Sequence, residues 1–174
     1  PNMTIIAPCD ADEMKRMMVQ TLDWPHPIYI RLAKGGDPIV SRDDLGFEIG
    51  KGILLREPGE ALYITTGVMT QLALNASDNL NNKGISAGVL HIPTIKPLDE
   101  NILKKYIAEV KAIVVIEEHT RIGGLGSAIL ELCSDQMPEQ TPKISRIGFP
   151  DKFADQYGSQ NSLLEHWGIT VENV

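Results

Sequence analysis

A chain of 174 residues with 23 acidic and 16 basic side chains carries a formal charge of −7, so a nucleic-acid backbone would meet an opposing field and is not an expected partner. At 43% hydrophobic and 22% charged residues the composition is that of a globular protein, and no apolar run approaches the length of a membrane span. Only two cysteines occur, Cys9 and Cys133, in no metal-ligand spacing, which excludes a disulfide framework and suits a reducing cytoplasm.

The first strong signal is MTIIAP (3–8), an apolar run that predicts a buried strand. Asp10 followed by Glu13 reads as a capping box that opens a helix. Met14, Met17, Met18 and Leu22 then recur at helical spacing and predict a core-facing stripe, with Lys15, Arg16 and Gln20 on the opposite face. PIYIRLA (27–33) predicts a second strand, and GGDPIVSRDDLG (35–46) has the Gly, Asp and Pro content of a linker, so a domain boundary is expected near residue 40.

Beyond the linker, KGILLRE (51–57) and ALYITTG (61–67) flank the turn-forming PGE and predict an antiparallel hairpin. A helix is expected over 68–83 with Leu72, Ala73, Ala76 and Leu80 on one face and Gly84 as its C′ residue. SAGVLHI (86–92) is the next strand, Asp99 caps the following helix, and AIVVIEE (112–118) is a further strand. A helix begins at about Ser127, KISRIGF (143–149) is the last strand, and SQNSLLEHWG (159–168) closes the chain as a helix. This alternation predicts an α/β fold: a mostly parallel five-stranded sheet with one antiparallel edge strand and helices on both faces.

The segment EEHTRIGGLGSAI (117–129) poses the main chemical question, because a glycine turn after an apolar run can cradle a phosphate. A dinucleotide fingerprint would need a third glycine where Ile129 stands, and a P-loop would need a Lys followed by Ser or Thr after Gly126. The turn is therefore expected to be structural. Glu117 and Glu118 are adjacent on a strand and point to opposite faces, so they cannot act as a carboxylate pair. His26 reads as a loop residue, and His91, His166 and Cys133 as packed or hydrogen-bonded residues of strand or helix.

Four motifs in order resemble the C-terminal part of the transketolase superfamily: YITTGVMTQLAL (63–74), IKPLDENIL (95–103), VVIEEHTRIGGLGSAI (114–129) and RIGFPDKFADQYGSQNSLLEHWGI (146–169). The likeness is nearest to the C-terminal subunits of split transketolases. 1-Deoxyxylulose-5-phosphate synthase follows through KPLD, GGLGSA and the GSQ segment. TIIAPCDADEMKRMM and PIYIRLAKGG resemble the last strands and helix of the preceding pyrimidine-binding domain.

The resemblance implies that residues 41–174 are the C-terminal domain and residues 1–40 the tail of a pyrimidine-binding domain plus linker, belonging to a longer protein or assembly. It further implies ketol transfer between sugar phosphates in that assembly. Thiamine diphosphate would lie between the two upstream domains, with Mg²⁺ on a GDG motif; this sequence has only Gly35-Gly36-Asp37, in the wrong order. The chain alone is therefore expected to be inactive and to bind no cofactor. Its partners would be the missing N-terminal region or subunit and a second copy in a homodimer. Arg31 and Lys34 occupy the place where the family binds the substrate phosphate, and His119 and Arg121 flank an edge near the subunit interface, where they could also form an anion site. The synthase pattern R-Y-P-R-G is replaced here by RLAKG, and a 2-oxoacid dehydrogenase β subunit would differ further. A free-standing, non-catalytic binding module is the alternative of a different class.

Overall fold

The computed structural model describes all residues 1–174. Its elements in chain order are β1 (Thr4–Ile6), α1 (Ala11–Thr21), β2 (Ile28–Ile30), β3 (Ile53–Arg56), β4 (Ala61–Thr65), α2 (Met69–Asn82), β5 (Ala87–His91), β6 (Thr94–Lys96), α3 (Glu100–Ile107), β7 (Ala112–Thr120), α4 (Leu125–Gln136), β8 (Lys143–Phe149) and α5 (Gln160–His166). The larger sheet has the order β3-β5-β4-β7-β8, and the smaller one the order β2-β1-β6.

In the larger sheet β4 runs parallel to β5 and β7, β8 runs parallel to β7, and β3 is antiparallel at the edge. Alternation along β4 divides the core between the faces. Leu62 and Ile64 join Leu103, Ile107, Leu125 and Ile129 on the α3 and α4 side. Tyr63 joins Met69, Ala73 and Leu164 on the α2 and α5 side. Helices thus cover both faces, as an all-apolar central strand requires.

The expected hairpin between β3 and β4 does not form. β3 pairs instead with β5, Ile53 opposite His91, and β4 lies one strand further in. The reason lies in the apolar content of ALYIT. Four of its five residues are buried, which only a central position satisfies, whereas every residue of β3 is half-buried, as suits an edge. Gly88 makes the rearrangement sterically possible: a Cβ there would stand 2.5 Å from Pro58 Cα, so the connection from β3 to β4 passes hard against β5. At the end of α2, Gly84 adopts φ 80° as expected, with Ile85 N–H donating to Leu80 O and Gly84 N–H to Asn81 O. These two bonds make a Schellman cap.

Around α1 the structure departs from the periodic reading. Met17 is fully buried and packs with Ile6 and Ile49, but Met18, Val19 and Leu22 are 46%, 68% and 82% exposed. The opposite face, expected to be solvated, carries the linker. Arg16 bonds Ser41 Oγ and Asp43, and the Gln20 amide donates to Phe47 O and accepts from Ile49 N–H. β6 was not anticipated either. Pro93 and Pro97 bracket its three residues and read as punctuation, yet Thr94 and Lys96 pair antiparallel with Ile6 and Ile5 of β1.

Candidate functional site: a cleft at the switch point of the sheet

From β4 the chain passes through α2 to β5 on one side, then through β6 and α3 to β7 on the other, so the strand order reverses between β4 and β7. In open α/β sheets a crevice opens at the carboxyl ends of the strands at such a reversal. A cleft of about 150 Å³ lies there, lined among others by Thr66 and Gly67 after β4, Glu118 and His119 of β7, Gly124, and Arg31 from the segment after β2. The cleft is thus roofed by the smaller sheet and floored by the larger one.

The glycine turn beside it is a cradle, but for a side chain of the same molecule. Gly124 is the N-cap of α4 and has no side chain with which to satisfy the helix's free N–H groups. Glu117, 1% exposed, supplies the acceptors: Oε2 takes Leu125 N–H at 2.8 Å and Oε1 takes Gly126 N–H at 3.0 Å. A carboxylate at a helix N-terminus also meets the positive end of the macrodipole. A Cβ on Gly124 would stand 1.9 Å from Glu117 Oε2, so any larger residue there displaces the carboxylate.

On the other face of β7, Glu118 is bound from two directions. Its Oε1 accepts from Gln160 Nε2 at 2.6 Å, its backbone carbonyl accepts from Arg31 Nη2, and Arg31 Nη2 lies 4.0 Å from Oε2. The two glutamates therefore do part to opposite faces, and each holds a different element. His119 lines the cleft with its side chain 40% exposed, donating from Nδ1 to Thr120 O at 2.7 Å.

Lys34 is exposed and does not line this cleft, so the structure brings Arg31, but not Lys34, to it. Arg121 is exposed as well. Its backbone carbonyl accepts from Ser127 Oγ and Arg146 Nη1, and its stem covers Gly148. His119 and Arg121 are thus neighbours in sequence without converging on one point.

A second polar cluster, unread in the sequence, joins the two sheets. Glu13 is fully buried and its Oε2 accepts Cys9 N–H at 2.7 Å while lying 2.9 Å from His91 Nε2, whose Nδ1 is 3.0 Å from Thr70 Oγ1. Burial pushes the Glu13 carboxyl up, but the paired His91 and the Cys9 bonds outweigh it and hold the group below its ordinary range. Burial, with Glu13 and Asp10 nearby, pushes the Cys9 thiol far up, so it is not a nucleophile. Cys9, Glu13 and His91 place ligand-type atoms within 4.8 Å of one another. The adjoining void has no room for a water molecule, and Glu13 Oε2 is already shared, so the cluster works as an interlock between sheets. The signal available in the sequence was a glutamate that could cap or reach; Asp10 took the cap, accepting from Asp12 and Glu13 N–H, and freed Glu13 to reach.

The fold and its cleft define the class: a parallel-sheet domain whose strand ends carry a self-capped glycine turn. Residues 50–174 match the family model for the transketolase C-terminal domain, and the chain belongs to that family. Over its whole length it is 40% identical to a transketolase-family protein of Sinorhizobium fredii, covering 50% of that relative. It is 36% identical, again over its whole length, to a 1-deoxy-D-xylulose-5-phosphate synthase of Heliobacterium modesticaldum, covering 27% of it. A solved split-gene transketolase, described as an inactive β4 tetramer, superposes with a TM-score of 0.91 at 35% identity over 99% of this chain and 55% of its own. The chain thus spans about half or less of the length of the relatives it matches. No helix is long and apolar enough to cross a membrane. A thiamine diphosphate does not fit the glycine turn, because Glu117 already fills the N-terminus of α4 with negative charge.

Proposed function

We propose that this chain is the C-terminal region of a thiamine-diphosphate-dependent transketolase-type enzyme that moves a two-carbon ketol unit between sugar phosphates. What carries this reading is the likeness to the split-gene transketolase, which extends over both sheets and both sides of the cleft. The cofactor supplies the carbanion chemistry of the transfer, and its glutamate partner and Mg²⁺ site belong to the upstream region. Residues 1 to about 49 form the end of the pyrimidine-binding domain and the linker strapped to it, somewhat beyond the residue-40 boundary expected from composition, because Ile49 completes the core of Ile6 and Met17.

In the assembly this region is structural and dimerising, and without its N-terminal counterpart it is inactive. The exposed apolar side chains Met18, Val19 and Leu22 receive the rest of the pyrimidine-binding domain. His119 and Arg121 lie toward a second copy in a cytoplasmic homodimer. Arg31 is the contact for the phosphate of the sugar, a role for which a planar guanidinium with several donors is suited. Lys34, exposed at the end of the same segment, is a secondary contact at most.

The likeness to the synthase supports a second reading with the same scaffold and a different reaction. One assay separates them. The complete protein carrying this segment, given thiamine diphosphate, Mg²⁺, a ketose phosphate and an aldose phosphate, forms a new ketose phosphate without gas release. Release of CO2 from pyruvate with glyceraldehyde phosphate as acceptor identifies the synthase instead. Silence in both assays, with both regions present and folded, overturns the enzymatic reading and leaves a binding module.

A further inference from the structure

Arg31 belongs to the smaller sheet's unit, but what fixes its head group is the larger sheet. Its backbone N–H donates to Ile6 O at 2.8 Å, which anchors the base of the side chain beside β1. At the other end Nη2 donates to the carbonyl of Glu118, with the Glu118 carboxylate 4.0 Å away. That carboxylate is not free to turn, because its other oxygen is held by Gln160 of α5 at 2.6 Å. A chain of contacts therefore runs from Gln160 of α5 through Glu118 of β7 to the Arg31 guanidinium at the cleft.

A guanidinium has five N–H donors, and the protein bonds described use one of them. The Arg31 side chain remains 39% exposed, so donors are left for a ligand. An unrestrained arginine loses rotamer freedom when it clamps an anion, and an arginine already held does not. The Glu118 carboxylate, 4.0 Å from Arg31 Nη2, repels an incoming anion, so what it contributes is the orientation of the guanidinium and not attraction.

We infer that Glu118, held by Gln160, is a positioning residue that sets Arg31 for the phosphate monoester of the sugar substrate. The inference rests on the reading of Arg31 as the phosphate contact. It gives the C-terminal domain a part in substrate affinity: the residue that touches phosphate comes from one unit, and the pair that aims it comes from the other.

The test uses the assembled enzyme and two donors, a ketose phosphate and the same ketose without phosphate, with KM and kcat measured for each. Arg31→Ala raises KM for the phosphorylated donor on the order of a hundredfold, the loss of a charge-assisted bidentate contact, and leaves the unphosphorylated donor little changed. Glu118→Gln raises KM for the phosphorylated donor by about fivefold with kcat within about twofold, and Gln160→Leu moves it in the same direction by less. In the Arg31→Ala background Glu118→Gln adds nothing, since the group it aims is gone. An Arg31→Ala enzyme with unchanged KM for the phosphorylated donor removes the phosphate contact, and the positioning role with it. A large effect of Arg31→Ala with none from Glu118→Gln or Gln160→Leu overturns the positioning role alone. Equal KM rises for both donors in Glu118→Gln overturn it too, because they mark a loosened fold.

Discussion

The two sheets of this molecule are held by different forces. The larger one closes its own core, with β4 and β7 buried between α2 and α5 on one face and α3 and α4 on the other. The smaller one has strands of three residues and a core of Ile6, Met17 and Ile49, while Met18, Leu22, Tyr29 and Leu32 around it are exposed. What ties the smaller unit down is polar. Asp10 accepts from Asp12, Glu13, Val40 and Ser41 N–H and from Ser41 Oγ, Gln20 holds Phe47 and Ile49, and Glu13 locks onto His91. Burial of apolar area is worth about 25 cal/mol per Å² and accumulates, whereas a net hydrogen bond contributes about 1 kcal/mol. The larger sheet is thus expected to hold independently, and the smaller one to depend on a few named atoms.

The strongest way to break that comparison is at a buried carboxylate on which the larger sheet depends. Gly124→Ala puts a Cβ where Glu117 Oε2 now lies, 1.9 Å away, at φ −95°, where alanine is unstrained. The expelled carboxylate stays buried without its two N–H partners, and a loss of about 3–5 kcal/mol is expected in urea unfolding. Gly123→Ala is the control: φ is 74° but the space is open, so the cost is backbone strain of about 1 kcal/mol. Equal costs for the two variants would mean that the turn relaxes and the carboxylate is not essential.

A smaller effect, confined to the other unit, is expected from Asp10→Ala. It removes the cap of α1 and leaves Val40 and Ser41 N–H without acceptors, for a cost of about 2–4 kcal/mol. Hydrogen exchange should then accelerate for amides of 11–21 and 40–49 while those of 62–64 and 113–116 keep their protection. Acceleration of all four sets together would show that the two sheets unfold as one unit.

The difference between the regions also explains what the sequence disclosed. Elements whose identity rests on apolar content and local chemistry were legible: β8 over KISRIGF, the Gly84 cap of α2, the Asp99 cap of α3 and the parallel sheet with its antiparallel edge. The pairing of β3 was not, because PGE resembles a hairpin turn and only the burial of β4 on both faces displaces it. Around α1 period alone misled, since polar side chains on the far face bind the linker, and Met18 and Leu22 have no cover within the chain. At the cleft, Arg31 was picked out by resemblance, and Glu118 was correctly sent away from Glu117. That a helix lacking a capping side chain borrows a carboxylate from the preceding strand is a tertiary fact, and so is the aim of Gln160.

Acid sharpens the comparison with the least perturbation. Burial pushes the Asp10 carboxyl up, but the bonds from Glu13, Ser41 and Val40 prevail and hold it down at about 2; Glu13 is likewise held below its ordinary value, against its burial, by His91 and Cys9. A carboxyl lowered on folding contributes stability that is fully present above its unfolded pKa of about 4 and is lost as pH falls through the folded one. Between about pH 4 and 2, therefore, the smaller unit should weaken first, by less than the Asp10→Ala substitution costs while Asp10 is only partly protonated. The two tryptophans report the regions separately. Trp24 donates to Thr4 Oγ1 of β1 at 2.9 Å, and Trp167 packs with the core on the α2 and α5 face. In single-tryptophan variants, Trp167→Phe and Trp24→Phe, the Trp24 emission should change at a higher pH than that of Trp167. Coincident transitions would mean that the Glu13–His91 interlock couples the two sheets more tightly than their separate cores suggest.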